Sequence, residues 1–164
     1  MRKIFSLLLA LTATATLTFA APQSDSKEVN CGSTATLTAT PKTGYHFVEW
    51  QKDGVQVSTS ASYQVTADAA ATYKAIFAPN TNTPYTVKHY QQNLDGTYPA
   101  VATDVDNLTG ITGAPTAAEA KSYTGFTKVN FDQGTIAADG STVITINYTR
   151  NTYALSWVTD GDVL

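Results

Sequence analysis

Cysteine and histidine are nearly absent from this sequence. One cysteine, Cys31, excludes an intrachain disulfide and any cysteine-built metal cage. It reads as a small buried residue, the alternative being an interchain bridge. Two histidines, His46 and His89, stand in different predicted strands, and no Gly-x-Ser-x-Gly elbow or comparable setting offers a nucleophile to either. Glu28, Glu49 and Glu119 fall in separate elements, so no carboxylate pair for glycoside hydrolysis is supplied. Charged residues make up only 14% of the chain, and the basic ones form no cluster. Nucleic acid and anionic membrane surfaces are therefore poor partners. After residue 20 no apolar run approaches the length a membrane span needs. The expectation is a non-enzymatic protein with no catalytic, cofactor-binding or metal site.

Threonine is the most frequent residue, and its β-branched side chain suits a pleated, half-exposed strand. The first 20 residues are set apart as a signal peptide. Arg2 and Lys3 form a basic start, Ile4 to Phe19 is apolar, and small residues follow. Ala20 and Ala21 are the candidate cleavage residues, with the cut after Ala20 preferred because Pro22 crowds the next bond. Ten basic residues, less Arg2 and Lys3, then leave eight against thirteen acidic ones. Localisation is expected to be secreted or at the cell surface.

The remainder reads as mainly β, α+β at most: two tandem small sheet modules and the start of a third. Over residues 29–78, Ala35, Leu37 and Ala39 alternate with Thr34, Thr36, Thr38 and Thr40. Pro41 ends that strand. Tyr45 to Trp50 forms an aromatic strand turned at Asp53-Gly54, and short strands follow around Val55, Tyr63 and Tyr73. Residues 79–84 read as a stiff polar linker. Over 85–149, Tyr85 to Tyr90 opens a second sheet. Ile144, Ile146 and Tyr148 alternate with Val143, Thr145 and Asn147 in a closing strand through its core. Asp-Gly pairs at 95–96 and 139–140 read as hairpin turns of type I′. Pro115 to Lys121 carries about one turn of helix propensity. Residues 151–164 read as the first strand of a truncated third repeat, which suggests a fragment of a longer array.

Three further readings concern ligands. Asp104-Val105-Asp106-Asn107 has the acidic start of a calcium loop but lacks the later glycine and glutamate, so it is read as a solvated loop. Tyr45, Trp50, Tyr90 and Tyr98 are the candidate glycan-contact aromatics. For Tyr45 and Trp50 core packing is the stronger reading, because small sheets need large side chains to fill them.

Gly44-Tyr45-x-Phe47-x-x-Trp50, preceded by Thr-Leu-Thr-Ala-Thr-Pro and followed by Tyr73-Lys74-Ala75-Ile76-Phe77, resembles the divergent internalin B-type repeat, also called the Listeria–Bacteroides repeat. The second unit is similar to mucin-binding-protein-like repeats through Tyr-Thr-Val-Lys-His-Tyr, Leu-Thr-Gly at 108–110, Tyr-x-Gly-Phe at 123–126 and its closing Tyr-Thr-Arg-Asn-Thr-Tyr. Asn151 to Trp157 resembles the opening of another internalin B-type repeat. The resemblance implies β-grasp-like modules on a bacterial surface or secreted protein, used as spacer, stalk or adhesive surface. In that family a further hairpin precedes the Gly-Ser-Thr-Ala-Thr-Leu strand, a place the leader takes here. The partners implied are a host or microbial glycan or protein and the neighbouring repeats. Two alternatives remain: accessory modules of a larger secreted glycan-degrading enzyme, and a carbohydrate-binding module acting in its own right.

Overall fold

The computed structural model describes residues 4–9 and 27–157, and among them every regular element is a strand. In the first module β1 (Ile4–Leu9), β2 (Lys27–Asn30), β4 (Tyr45–Lys52), β5 (Val55–Ser58) and β7 (Thr72–Pro79) form one sheet in the order β2-β1-β7-β4-β5. A two-stranded ribbon, β3 (Thr34–Thr38) with β6 (Ser62–Thr66), makes a second layer. Period-two alternation aims Leu37 and Ala39 from one layer, with Val65, at Trp50, Tyr73 and Ala75 of the other. Phe47, Tyr63 and Phe77 close the edges of this core. Asp53 and Gly54 both take positive φ, 50° and 85°, so the two-residue turn between β4 and β5 is the type I′ turn its sequence asks for.

Two N-terminal features depart from the sequence reading. Ile4–Leu9, read as part of the leader, is a strand antiparallel to β2 and parallel to β7 through Leu8↔Thr72 and Leu9↔Tyr73. It stands where the resemblance places an additional hairpin. The cleavage residues Ala20 and Ala21 lie outside the described residues. Cys31, expected to be buried, is exposed. It sits in the turn from β2 to β3, where Ser33 N–H bonds Asn30 O and Gly32 has φ 80°, so no layer covers it.

The second module is a four-stranded sheet, β10 (Phe126–Lys128), β11 (Val143–Arg150), β8 (Thr83–Gln91) and β9 (Asp104–Gly110), in the order β10-β11-β8-β9. First and last strands lie side by side at the centre and run parallel, from Val143↔Thr86 to Tyr148↔Gln91. Each outer strand is antiparallel to its inner neighbour. Tyr85 and Val87 of β8 and Ile144, Ile146 and Tyr148 of β11 fill the buried face, joined by Ala118 and Ile136 from the crossover. This is the β-grasp-like arrangement without a helix.

The expected helical turn over Pro115–Lys121 is absent, for an identifiable reason. The amides of this stretch are taken by distant side chains: Ala117 N–H donates to Tyr85 Oη, Ala118 N–H to Gln133 Oε1 and Lys121 N–H to Tyr148 Oη. Three orphan amides satisfied this way outweigh the small gain of a single helical turn. Asp95-Gly96 is likewise no hairpin turn. It lies inside the long 92–103 connection, where only Gly96 has positive φ and Asp95 Oδ1 accepts from Thr97. Asp139-Gly140 turns the chain into β11 in the same manner, Asp139 Oδ1 accepting from Ser141.

The linker is shorter than 79–84. Strand β7 runs through Pro79 and β8 starts at Thr83, leaving 80–82 between them. Asn80 is held on both sides: its N–H donates to Gly44 O at 2.8 Å, and its carbonyl accepts from Thr112 N–H at 2.9 Å. His46 Nδ1–H donates to Asn80 Oδ1. After Arg150, residues 151–157 form no strand, contrary to the sequence reading. Tyr153, Leu155 and Trp157 are exposed, and no described strand offers this stretch a ladder.

Candidate functional site

The densest polar constellation among the described residues lies on the second module, where the crossover passes over β8, β9 and β11. Alternation along β9 turns Asp104 and Asp106 toward the same face. Strand β8 brings His89, which is 0% exposed, and β11 brings Tyr148. The crossover adds Lys121 and Tyr123.

The hydrogen bonds fix the protons. Tyr148 Oη accepts from the Lys121 amide at 2.8 Å, so its own hydroxyl proton is free to donate to His89 Nδ1, also 2.8 Å away. The Nε2–H of His89 then donates to Asp106 Oδ2 at 3.1 Å. Lys121 Nζ donates to Asp106 Oδ1 at 2.6 Å and to Asp104 Oδ2 at 2.7 Å, and Tyr123 Oη donates to Asp104 Oδ2 at 3.2 Å. The Tyr123 and Tyr148 rings meet edge to face at 4.8 Å. Hydrogen bonds from Lys121 hold the Asp104 and Asp106 carboxyls below their usual range, and the same bonds raise Lys121. Burial, then the Asp104 charge, pushes Tyr123 up to about 12, and burial raises Tyr148.

The arrangement is a latch. A general base needs a free nitrogen facing substrate. His89 has none, since both ring nitrogens are engaged and the ring is covered. Every buried side-chain polar atom among the described residues has a partner. Asp104 to Asn107, read as a solvated loop, is strand β9, and Lys121 occupies both carboxylates. Beside the latch is an open cleft of about 620 Å³, lined by Lys121, Tyr123, Phe126, Lys128 and Phe131 among others. The Arg150 guanidinium stacks 4.7 Å from the Phe126 ring at its margin.

The aromatics singled out from sequence do not converge. Trp50 is 1% exposed in the first core, so it belongs to packing and offers no ring to a sugar. Tyr45 is half-buried on the same module, while Tyr90 and Tyr98 are half-buried on the other. His46 and His89 likewise stand on different modules. The aromatic surface that does assemble is Tyr123, Phe126 and Phe131, which the sequence reading did not propose. One signal pointed toward the latch: Asp104 and Asp106 at strand spacing, with a histidine on an earlier strand.

Residues 8–81 match the family described as Divergent InlB B-repeat domain. The match covers the whole first module from β2 to β7 and reaches back into β1, further than the expected 29–78. No curated protein and no solved structure matches the chain. No described helix is long and apolar enough to cross a membrane.

Proposed function

We propose that the chain is a non-enzymatic bacterial surface or secreted protein whose β modules act as a spacer or stalk, with an adhesive face on the second module. The observation that carries the reading is the succession of two sheet modules, each with its own core, the first of them similar to the Divergent InlB B-repeat domain. The large aromatics Trp50, Tyr85 and Tyr148 are spent inside those cores. The latch supports the same reading, because its histidine is closed off from any substrate. The second module is proposed as a mucin-binding-like repeat on the motifs quoted above. The Tyr123–Phe126–Phe131 cleft, flanked by Lys121 and Lys128, is its best surface for a glycan ring.

Export follows the same logic. Cleavage after Ala20 is proposed; it removes β1 but none of the core residues Leu37, Trp50, Val65 and Tyr73. Intact mass of the secreted chain then shows Ala21 at its N-terminus, whereas a retained Met1 rejects the leader. Adhesion is tested by titrating the chain with neutral and acidic glycans while recording NMR shifts of the Tyr123 and Phe126 amides. Shifts that vanish in Phe131→Ala support the adhesive face. An unmoved spectrum across the panel removes it and leaves the spacer.

A further inference from the structure

We propose that the second module is a mechanical clamp, loaded in shear through its first and last strands. Strand β8 opens the module and β11 closes it, and they are parallel nearest neighbours over six registered pairs. In a parallel pair the N-terminus of one strand and the C-terminus of the other lie at opposite ends of the ladder. Tension carried by the chain, in through Thr83 and out through Arg150, therefore pulls along the strands and stresses all the rungs together. Chain ends that left from one end of the ladder would break the rungs one after another.

Three features reinforce this interface. The ladder is extended at both ends by Thr86 N–H to Thr142 O at 3.0 Å and Gln92 N–H to Tyr148 O at 2.9 Å. Where β11 ends, Arg150 N–H donates to Gln92 Oε1 and its guanidinium to Gln92 O. Under the ladder, the His89–Tyr148 bond ties the two strands side chain to side chain. Sliding β11 past β8 would break that bond and strip the hydroxyl from the buried His89 ring. The latch thus lies across the plane that must slip. The biological purpose of such a clamp rests on the stalk reading above, whereas the direction dependence of its strength does not.

Single-molecule pulling on the full chain tests it. In one arrangement the handles are attached at Cys31, which is exposed and the only cysteine, and at the C-terminus. In the other they are at Leu94→Cys, in a Cys31→Ser background, and at the C-terminus. Leu94 is 90% exposed and follows β8 on the side where β11 ends, so this second arrangement peels the same ladder. With Cys31 handles the second module is recognised by its 68 residues (83 to 150), a contour gain of roughly 230 Å before the folded span is subtracted. Its rupture force is expected to be at least twofold higher in the first arrangement than in the second. Tyr148→Phe should lower the force in shear and leave the peeling force nearly unchanged. Equal forces in the two arrangements with Tyr148 intact would overturn the clamp whatever Tyr148→Phe does, because Cys31→Ser and Leu94→Cys both lie outside the ladder. Failure of the stalk reading shows differently: a catalytic activity in the secreted chain would reject it while leaving the force anisotropy in place.

Discussion

Lys121 is the residue on which the second module's polar chemistry turns. It holds Asp104 and Asp106 as carboxylates, and both are lowered from the ordinary value of 3.8. A carboxyl lowered in the folded state contributes stability above its unfolded pKa and loses it as pH falls through the folded value. Lys121 is raised from 10.5 and Tyr123 from 10.0, so each contributes stability below those values and loses it as pH climbs through the folded ones. The two windows overlap between about pH 5 and pH 9, where this group of residues adds no pH dependence. Thermal melts of the second module should fall away below about pH 4. In Lys121→Met the carboxyls return toward their ordinary range, so the acid-side decline becomes shallower while the neutral melting temperature drops. An acid limb as steep in the variant as in the wild type would remove Lys121 from this role. These carboxylates are open to solvent, so raising salt should weaken the effect.

At the scale of the element, Gln133 decides the shape of a segment on which local propensity pointed elsewhere. Its amide holds the crossover through Ala118 N–H, Ala118 O and the Thr116 hydroxyl. Gln133→Ala leaves those groups to water and is expected to destabilise the module by about 1–2 kcal/mol in denaturant melts. Faster amide exchange at Ala118 than at Ile146 should accompany it. Truncating Ile146, fully buried in β11, is expected to cost about 2–5 kcal/mol. If Gln133→Ala is silent in both measurements, the crossover is held by the Tyr85 and Tyr148 hydroxyls and its apolar contacts, and Gln133 does not decide its shape. The same contrast explains what the sequence made legible. Strands announce themselves locally: Thr34 to Ala39 and Val143 to Tyr148 alternate, and Asp53-Gly54 needs only its own two φ angles. The crossover does not, because the groups that straighten Pro115–Lys121 come from Tyr85, Gln133 and Tyr148, far along the chain. The latch was hidden for the same reason, since Lys121 meets its aspartates only once β9 and the crossover are stacked. Cys31 misled because burial preference describes a residue type, whereas a turn position sets exposure.

At the scale of the whole molecule, the question is whether the two modules swing about 80–82 or are seated on one another. Gly44 gives the answer a handle. It is buried, has φ +79°, and a Cβ placed on it would lie 2.6 Å from Ala138 Cβ, 2.8 Å from Ala138 Cα and 2.9 Å from Ala138 O. A turn of the first module thus rests directly on the chain that leads into β11 of the second. Asn80 is pinned between Gly44 and Thr112 at the same place. The seating implies a joint of fixed angle, as a spacer needs if it is to hold its far end away from a surface. Gly54 supplies the control, because it has φ +85° with no atom within 4 Å of its hypothetical Cβ. Gly44→Ala and Gly54→Ala should each cost about 1–2 kcal/mol for the left-handed backbone. Only Gly44→Ala should also unseat the modules, since the contact is with backbone as well as a methyl group and neither can rotate away. Small-angle scattering is then expected to show a larger radius of gyration and a broader distance distribution for Gly44→Ala, with Gly54→Ala indistinguishable from wild type. Ala138→Gly removes the methyl but leaves Cα and O in place, so it should restore the Gly44→Ala joint only in part. Identical scattering from all the variants would mean that the joint already swings, and that the contact between Gly44 and Ala138 does not set the angle.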